Sequence, residues 1–183
     1  MPRLFVAILP PPTVRAELAA LAEPLPGLRW VPADNIHLTL RFVGDAGDDV
    51  ADRMADALAA VRVEPFILPV AGVGVFPGRG PARVAWAGLG RAHTRLFQLR
   101  QQVDEALLRV APGIDVHRFD PHITVARLLP EADPKPLARW LERHAAFEGP
   151  PFRVAAFHLM TSALAPGSPP RYAPRRTFPL RAG

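Results

Sequence analysis

The chain has 183 residues, of which 49% are hydrophobic, and it carries a formal net charge of +5. This length and apolar content are enough for one sizeable core, or for two small lobes that share an interface, and they indicate a soluble globular protein. The absence of cysteine excludes disulfides, thiolate catalysis and the thiolate ligands of structural zinc.

No stretch reaches the eighteen apolar residues of a membrane helix, and the first residues, MPRLFVAILPPP, lack the sections of a signal peptide. We therefore expect a cytoplasmic protein with no membrane partner. Lys135 is the single lysine among 22 basic residues. Arginine suits phosphate contacts, but we attribute so uniform a preference to genome composition. The charge permits a polyanionic partner without indicating one.

The first half of the chain predicts alternating strands and helices. An apolar run over residues 4–9 predicts a buried strand, after which Thr13 is expected to cap a helix over residues 14–22. The later elements of this half are a strand over 36–43, a helix opened by Asp48 and Asp49, a strand over 66–75 with glycine interruptions, and its hairpin partner over 83–87.

The second half repeats this order. The predicted elements are a helix from residue 91 to about 110, a strand over 123–128, a helix over 136–146, a strand over 152–160, a loop over 165–174 and a last strand over 176–180. Such an internal repeat predicts an α+β fold with two pseudo-symmetric lobes, each an antiparallel sheet with helices outside, and a central cleft. No linker separates the lobes, so residues 1–183 are expected to form one domain.

Two His-x-Thr triplets stand out, one at His37 and Thr39 and the other at His122 and Thr124. In a strand, the His and the Thr point to one face while their apolar neighbours point to the other. With six His and six Thr, a shuffled chain of this length would contain roughly 0.2 such triplets. One copy is ordinary strand composition, but the matched pair predicts a functional site in the cleft.

Two imidazoles with unperturbed pKa values near 6.5 can divide the work of base and acid near neutral pH. In an in-line displacement at phosphorus, one removes a proton from the nucleophile while the other donates to the leaving group on the opposite side. Each Thr lies about 6.6 to 7 Å from its His on the same face, so its hydroxyl can hydrogen-bond a phosphoryl oxygen. Such a site needs no metal and no cofactor.

Metal binding by the two His is the main alternative to this chemistry. It needs a third ligand, and only Asp45 and Asp120 are close in sequence. The other four histidines have no paired context and are interpreted as surface or structural residues: His93, His117, His144 and His158.

Several segments resemble a known family. They are RLFVAILPP at the start, WVPADNIHLTLRFVG and RFDPHITVARL around the two triplets, VGVFPGRGPARVAWAGL between them, and FHLMTSAL with RYAPRRTFPL near the end. In order and spacing they are similar to the RNA 2′,3′-cyclic phosphodiesterases, also called 2′-5′ RNA ligases, of the two-histidine phosphoesterase superfamily. The resemblance runs over nearly the whole chain.

The resemblance implies metal-independent opening of an RNA terminal 2′,3′-cyclic phosphate to a 2′-phosphate. His37 and His122 would be catalytic, and Thr39 and Thr124 would bind the phosphate. Arg127 would be a further phosphate contact, although strict alternation places it on the face opposite His122, so a bulge or a wrapped side chain is required. The resemblance favours His122 as the base that activates water and His37 as the acid, and the pseudosymmetry accommodates the swap.

Three other functions stay open on sequence grounds. The same chemistry could act on a small cyclic nucleotide, or run in reverse to join RNA ends through a 2′-5′ bond. A third alternative is an RNA-end binding module without turnover, against which we note that a binder has no need of both His. Since His and Thr read only the phosphate, the sequence does not separate these functions. We expect a monomer whose partners are RNA ends with a 2′,3′-cyclic phosphate.

Overall fold

The computed structural model describes residues 3–91, 94–114, 118–163 and 170–182. They contain ten strands and four α-helices, the predicted α+β class. The strands are β1 (Arg3–Ile8), β2 (Leu28–Trp30), β3 (Leu38–Asp45), β4 (Phe66–Ala71), β5 (Val73–Phe76), β6 (Val84–Ala87), β7 (Ile123–Leu128), β8 (Glu148–Val154), β9 (Ala156–Ala163) and β10 (Arg171–Pro179). The helices are α1 (Pro12–Ala19), α2 (Asp48–Leu58), α3 (Thr94–Val110) and α4 (Pro134–His144), and a short 3₁₀ helix spans Ala33–Asn35.

Eight strands form one antiparallel sheet. Its main path runs β10-β9-β1-β3-β7-β6-β5, and β2 lies beside β7. Strands β4 and β8 pair with each other in a separate two-stranded sheet. The two strands that follow the motif histidines, β3 and β7, are therefore neighbours in the middle of the main sheet.

Helix α3 shows why apolar spacing predicted the helices. Leu96, Leu99, Val103 and Leu107 recur every three or four residues, and all four side chains are fully buried. Each such burial contributes about 1.5–3 kcal/mol relative to an exposed side chain. Helix α3 packs against α2 and contacts β3, so it supports the central strand from the apolar face of the sheet.

Helix α4 is anchored by Trp140, which is fully buried. Its indole N–H donates to the carbonyl oxygen of Leu21 at 3.0 Å, and its ring lies 5.4 Å from that of Trp30. These contacts join the second half of the chain to the segments that precede the first motif, and they give the indole N–H the partner that a buried donor requires.

Two predicted strands are each divided between the two sheets. The segment 66–75 forms β4 and β5, because Gly72 between them takes a φ of 74° and lets the chain leave one sheet for the other. The segment 152–160 likewise forms β8 and β9 on either side of Ala155. A continuous apolar run has the same appearance in either sheet, so the sequence did not reveal the change of partner.

Three predicted boundaries also differ from the structure. Helix α1 begins at Pro12 and has no side-chain cap, so the predicted capping by Thr13 is wrong. Proline is favoured in the first helical turn, where its missing N–H needs no partner. Strand β3 begins at Leu38 rather than residue 36, and β10 begins at Arg171, within the predicted loop. Residues 164–169 of that loop region lie outside the described residues.

Within the described parts of the chain, no helix combines the length and the apolar character needed to cross a membrane.

Position 74 has no space for a side chain, because the indole of Trp86 on β6 lies directly opposite it on β5. A Cβ at this position would lie 2.1 Å from Cζ2 of the indole ring. We expect Gly74→Ala to destabilise the fold by about 1–3 kcal/mol, because the rigid ring must move. Gly78→Ala is the matched control, since nothing lies within 4 Å of its Cβ, and should change stability by less than about 0.5 kcal/mol. Urea unfolding measures both, and equal stability of the two variants would contradict the contact.

Candidate active site

A single backbone pairing brings the two His-x-Thr motifs together. Strands β3 and β7 pair at Leu38 and Ile123, the residues that directly follow the two motif histidines. Because the strands are antiparallel, continuing this register by one residue in each direction sets each motif Thr opposite the His of the other motif. The four polar residues therefore surround the Leu38–Ile123 pair on one face of the sheet.

The imidazole of His37 is held by the backbone and by two aromatic rings. Nδ1 lies 2.7 Å from the carbonyl oxygen of Asn35. The ring centroids of Phe5 and Tyr172 lie 5.0 and 5.1 Å from that of His37. Since a carbonyl oxygen can only accept, Nδ1 is the protonated nitrogen of the neutral ring, and Nε2 is left to accept or donate a proton.

The surroundings of His37 lower its pKa below the ordinary value. Burial is the largest cause, because it disfavours the charged ring. The hydrogen bond to Asn35 opposes this effect, while the positive charges of Arg127 and His122 lower the pKa further. These influences favour the neutral imidazole, and they place Arg127 and His122 near His37.

His122 repeats the arrangement of His37. Its Nδ1 lies 2.7 Å from the carbonyl oxygen of Asp120, again two residues earlier in the chain. The ring of Phe76, at the end of β5, lies 4.9 Å away and meets the imidazole edge to face. Each motif histidine is therefore oriented by the backbone carbonyl two residues before it, and it packs against an aromatic ring from another strand.

A β-bulge in β7 brings Arg127 to the face that carries Thr124. The register between β6 and β7 skips Val125, so the alternation of side chains shifts by one residue beyond that point. The burial of both Val125 and Ala126, followed by the exposed Arg127, agrees with this shift. Of the two possibilities that the sequence left for Arg127 to share a face with His122, a bulge or a wrapped side chain, the strand contains the bulge.

Strand β3 contains the same bulge. Its register with β1 skips Leu40, which turns Phe42 to the face that carries Thr39. Phe42 is 65% exposed, and it stands five residues after His37, as Arg127 stands five residues after His122. The site therefore has an exposed aromatic ring, Phe42, at the end of the first motif and an exposed guanidinium, Arg127, at the end of the second.

A cavity of about 470 Å³ opens where β3 and the segment before β7 separate. We call it the notch. Residues 39–44 form one side of it, and residues 118–120 with His122 form the other. Its size is within the range of small-molecule sites. Because Thr39 and His122 line the notch, it is continuous with the candidate active site.

Two of the remaining histidines are described. His158 on β9 lies opposite Ala7, which in turn lies opposite Thr39, so His158 is in the same row of the sheet as the first motif, whereas His144 lies on α4. His144 Nε2 lies 3.1 Å from the carboxylate of Glu23, and His158 Nδ1 lies 2.9 Å from Oγ1 of Thr177. His93 and His117 lie outside the described residues. Among the residues that the structure describes, no three His, Asp or Glu side chains form a group that could hold a metal ion.

Sequence reasoning missed the aromatic residues that contact the two histidines, which are Phe5, Phe76 and Tyr172. Each lies on a strand other than the one that follows the histidine it contacts. Their sequence neighbourhoods show only ordinary strand composition, because the contact exists only once the sheet has formed.

A family described as LigT-like phosphoesterases has a model that matches residues 8–86 and 90–170. The RNA 2′,3′-cyclic phosphodiesterase of Archaeoglobus fulgidus is 31% identical over 170 residues, which are 91% of this chain and 94% of that protein. A solved structure from Thermus thermophilus has a TM-score of 0.81 and 29% identity over 98% of both chains. E. coli LigT complexed with 3′-AMP has a TM-score of 0.78 and 26% identity over 98% of this chain and 99% of that one. The chain thus belongs to the LigT-like phosphoesterase family.

Proposed function

We propose that this chain hydrolyses RNA terminal 2′,3′-cyclic phosphates to 2′-phosphomonoesters, with His37 and His122 as an acid–base pair and without a metal ion or cofactor. The observation that carries the proposal is the matched setting of the two imidazoles around the Leu38–Ile123 pair. The relative from Archaeoglobus fulgidus is an RNA 2′,3′-cyclic phosphodiesterase, which supports this choice of substrate.

In this reaction, water attacks phosphorus and the bond from phosphorus to the 3′-oxygen breaks. One imidazole takes a proton from the water, and the other, protonated at the start, gives one to the 3′-oxygen. Nδ1 of each ring is engaged by a backbone carbonyl, so Nε2 is the nitrogen that exchanges protons. The two rings end with their protonation states exchanged and reset through solvent.

Thr39, Thr124 and Arg127 are proposed to bind the phosphate. The hydroxyls donate to non-bridging oxygens, and the guanidinium neutralises the charge that these oxygens carry. Support comes from the bulge at Val125, which sets Arg127 on the face of Thr124, and from the influence of Arg127 on the pKa of His37.

Phe42 is proposed to stack on the base of the terminal nucleotide. Its exposed ring lines the notch beside Thr39 and His122, on the side of the site away from Arg127. Stacking of a base on an aromatic side chain contributes about 1–3 kcal/mol and tolerates any base. The E. coli relative complexed with 3′-AMP supports a nucleotide in a site of this kind.

We also propose that residues 1–183 form one domain of two pseudo-symmetric lobes, with the motifs facing a shared cleft. Two observations support this symmetry. The family match falls into two segments with one motif in each, and β3 and β7 carry a bulge at the same distance from their motif histidine. The cytoplasmic location and the monomeric state stay predictions.

The proposal is tested with oligoribonucleotides that end in a 2′,3′-cyclic, a 2′- or a 3′-phosphate, incubated with EDTA present. We expect the cyclic end alone to react and to yield the 2′-phosphate. Activity that disappears with EDTA and returns with a divalent ion would contradict the mechanism. Product analysis also separates the alternatives, because joined strands indicate end joining, and binding without turnover indicates a binding module.

The roles of the two histidines are tested by substitution. Either His→Ala change should lower turnover roughly 10²- to 10⁴-fold, and the double change should cost much less than the product of the two, because the pair acts as a unit. The resemblance implies His122 as the base and His37 as the acid, whereas the lowered pKa of His37 favours the reverse, because a base must be neutral.

A substrate with a low-pKa leaving group separates these two assignments. Such a leaving group departs without an acid, so it should rescue whichever variant has lost the acid. With His37 as the acid, rescue is expected for His37→Ala far more than for His122→Ala. Rescue of His122→Ala alone reverses the assignment, and equal rescue of both variants excludes separate roles.

The dependence of kcat/KM on pH should be bell-shaped, with one limb from each histidine, and the limb that His37 produces should lie below about 6.5, the ordinary pKa of His. Burial and nearby positive charges lower the pKa of His37, so this ring stays neutral to lower pH. Arg127→Gln removes one of those charges and raises the pKa of His37, so the limb of His37 should move to higher pH; this is the acid limb when His37 is the base and the alkaline limb when it is the acid. Arg109→Gln, on the exposed side of α3, is the control. A limb that stays in place in Arg127→Gln would show that another group produces it.

A further inference from the structure

We propose that Arg29 binds the product, forming with Arg127 a pair of guanidiniums that holds the 2′-phosphate dianion. This inference rests on the proposed function and adds a residue to the proposed phosphate site. The product of the proposed reaction carries a second negative charge that the substrate lacks. A cyclic phosphate diester is a monoanion, whereas the monoester formed by water has a second acidic proton with a pKa near 6 and is largely a dianion at pH 7.

The backbone sets Arg29 beside Arg127. In the pairing of β2 with β7, Arg29 lies directly opposite Arg127. Residues opposite each other in an antiparallel pair have Cβ atoms about 4.5–5.5 Å apart and point to the same face. Trp30, the neighbour of Arg29, packs against the buried Trp140, so Arg29 points away from the core and toward the face that carries Arg127.

Two like charges directly opposite each other destabilise a sheet. Within the described residues, neither Arg29 nor Arg127 has a hydrogen bond or an ion pair with any side chain, and both are exposed. Several other arginines of the fold contact carboxylates instead. Arg175, for example, contacts both Asp48 and Asp52 at 2.8 Å. An anion between Arg29 and Arg127 would relieve their repulsion.

The phosphate site lies next to this pair. Arg127 is close enough to His37 for its charge to lower the pKa of that ring, and it shares its face with Thr124. A phosphate bound among His37, Thr124 and Arg127 therefore has Arg29 as the next cation along the same face. The notch beside Phe42 is also lined by arginines, namely Arg41, Arg100 and Arg118. Each of these contacts a carboxylate, that of Asp104 for Arg41 and Arg100 and that of Asp120 for Arg118, so we place the nucleoside there and the phosphate at Arg29 and Arg127.

This placement predicts that Arg29 discriminates by charge. A monoanion is neutralised by Arg127 alone, so removal of Arg29 affects substrate binding little. A dianion carries one charge more than Arg127 neutralises. Arg29 meets this second charge and makes charge-assisted hydrogen bonds with it. Arg29 therefore stabilises the bound product. It also stabilises the transition state to the extent that this state resembles the product.

The experiment compares KM for a nucleoside 2′,3′-cyclic phosphate with the inhibition constant Ki of the corresponding nucleoside 2′-phosphate at pH 7.5. For Arg29→Gln we expect Ki to rise about tenfold, because the product loses a hydrogen bond to a charged group. We expect KM to change less than about threefold. Arg29→Lys keeps the charge and should recover part of the product affinity. Arg153→Gln, an exposed arginine on β8, is the matched control and should change neither constant.

Equal increases of KM and Ki in Arg29→Gln would overturn the proposal, because Arg29 would then bind any phosphate without regard to its second charge. An unchanged Ki would overturn it as well. Wild-type protein that does not turn over the cyclic phosphate would instead contradict the proposed function, and this outcome is seen before any variant is compared. Thermal unfolding of each variant shows whether the fold is retained.

Discussion

The candidate active site depends on the backbone pairing of Leu38 with Ile123. This pair is the junction between the strands that follow the two motif histidines, which are 85 residues apart in sequence. Local strand periodicity can set His and Thr on one face of each strand, but it cannot bring two strands together. The antiparallel register does so, and it is fixed by the apolar residues on the other face, since a slip of one residue would expose them.

The bulges at Leu40 and Val125 give this symmetric junction its two different ends. Both break the alternation after the motif Thr, and both turn the residue five positions after His to the site face. The first motif has Phe42 there and the second has Arg127. The two equivalent positions after the bulges therefore present different chemistry, an exposed aromatic ring after the first motif and an exposed guanidinium after the second.

Much of the fold was predictable, because apolar spacing is a strong local signal. The helices over α2 and α3 and the strand β7 were predicted close to their observed bounds. The division of 66–75 and 152–160 between two sheets was not, since partner choice leaves no mark in an apolar run. For the candidate site, the sequence predicted five residues, and it required a bulge or a wrapped side chain for Arg127. The structure sets the motif residues around one backbone pair and Arg127 on the face of Thr124, while their roles stay predictions. The sequence could not supply Phe5, Phe76 and Tyr172, whose contacts with the histidines exist only across strands.

Both motif histidines are oriented by neutral carbonyl oxygens rather than by carboxylates. A carboxylate partner would stabilise the imidazolium and raise the pKa of both rings, so that both would hold a proton near neutral pH. A carbonyl oxygen also favours the protonated ring, as the hydrogen bond to Asn35 does for His37, but it carries no full charge and does not itself titrate. The partner that orients Nδ1 of each ring therefore stays the same across the pH range in which a carboxylate would gain or lose a proton.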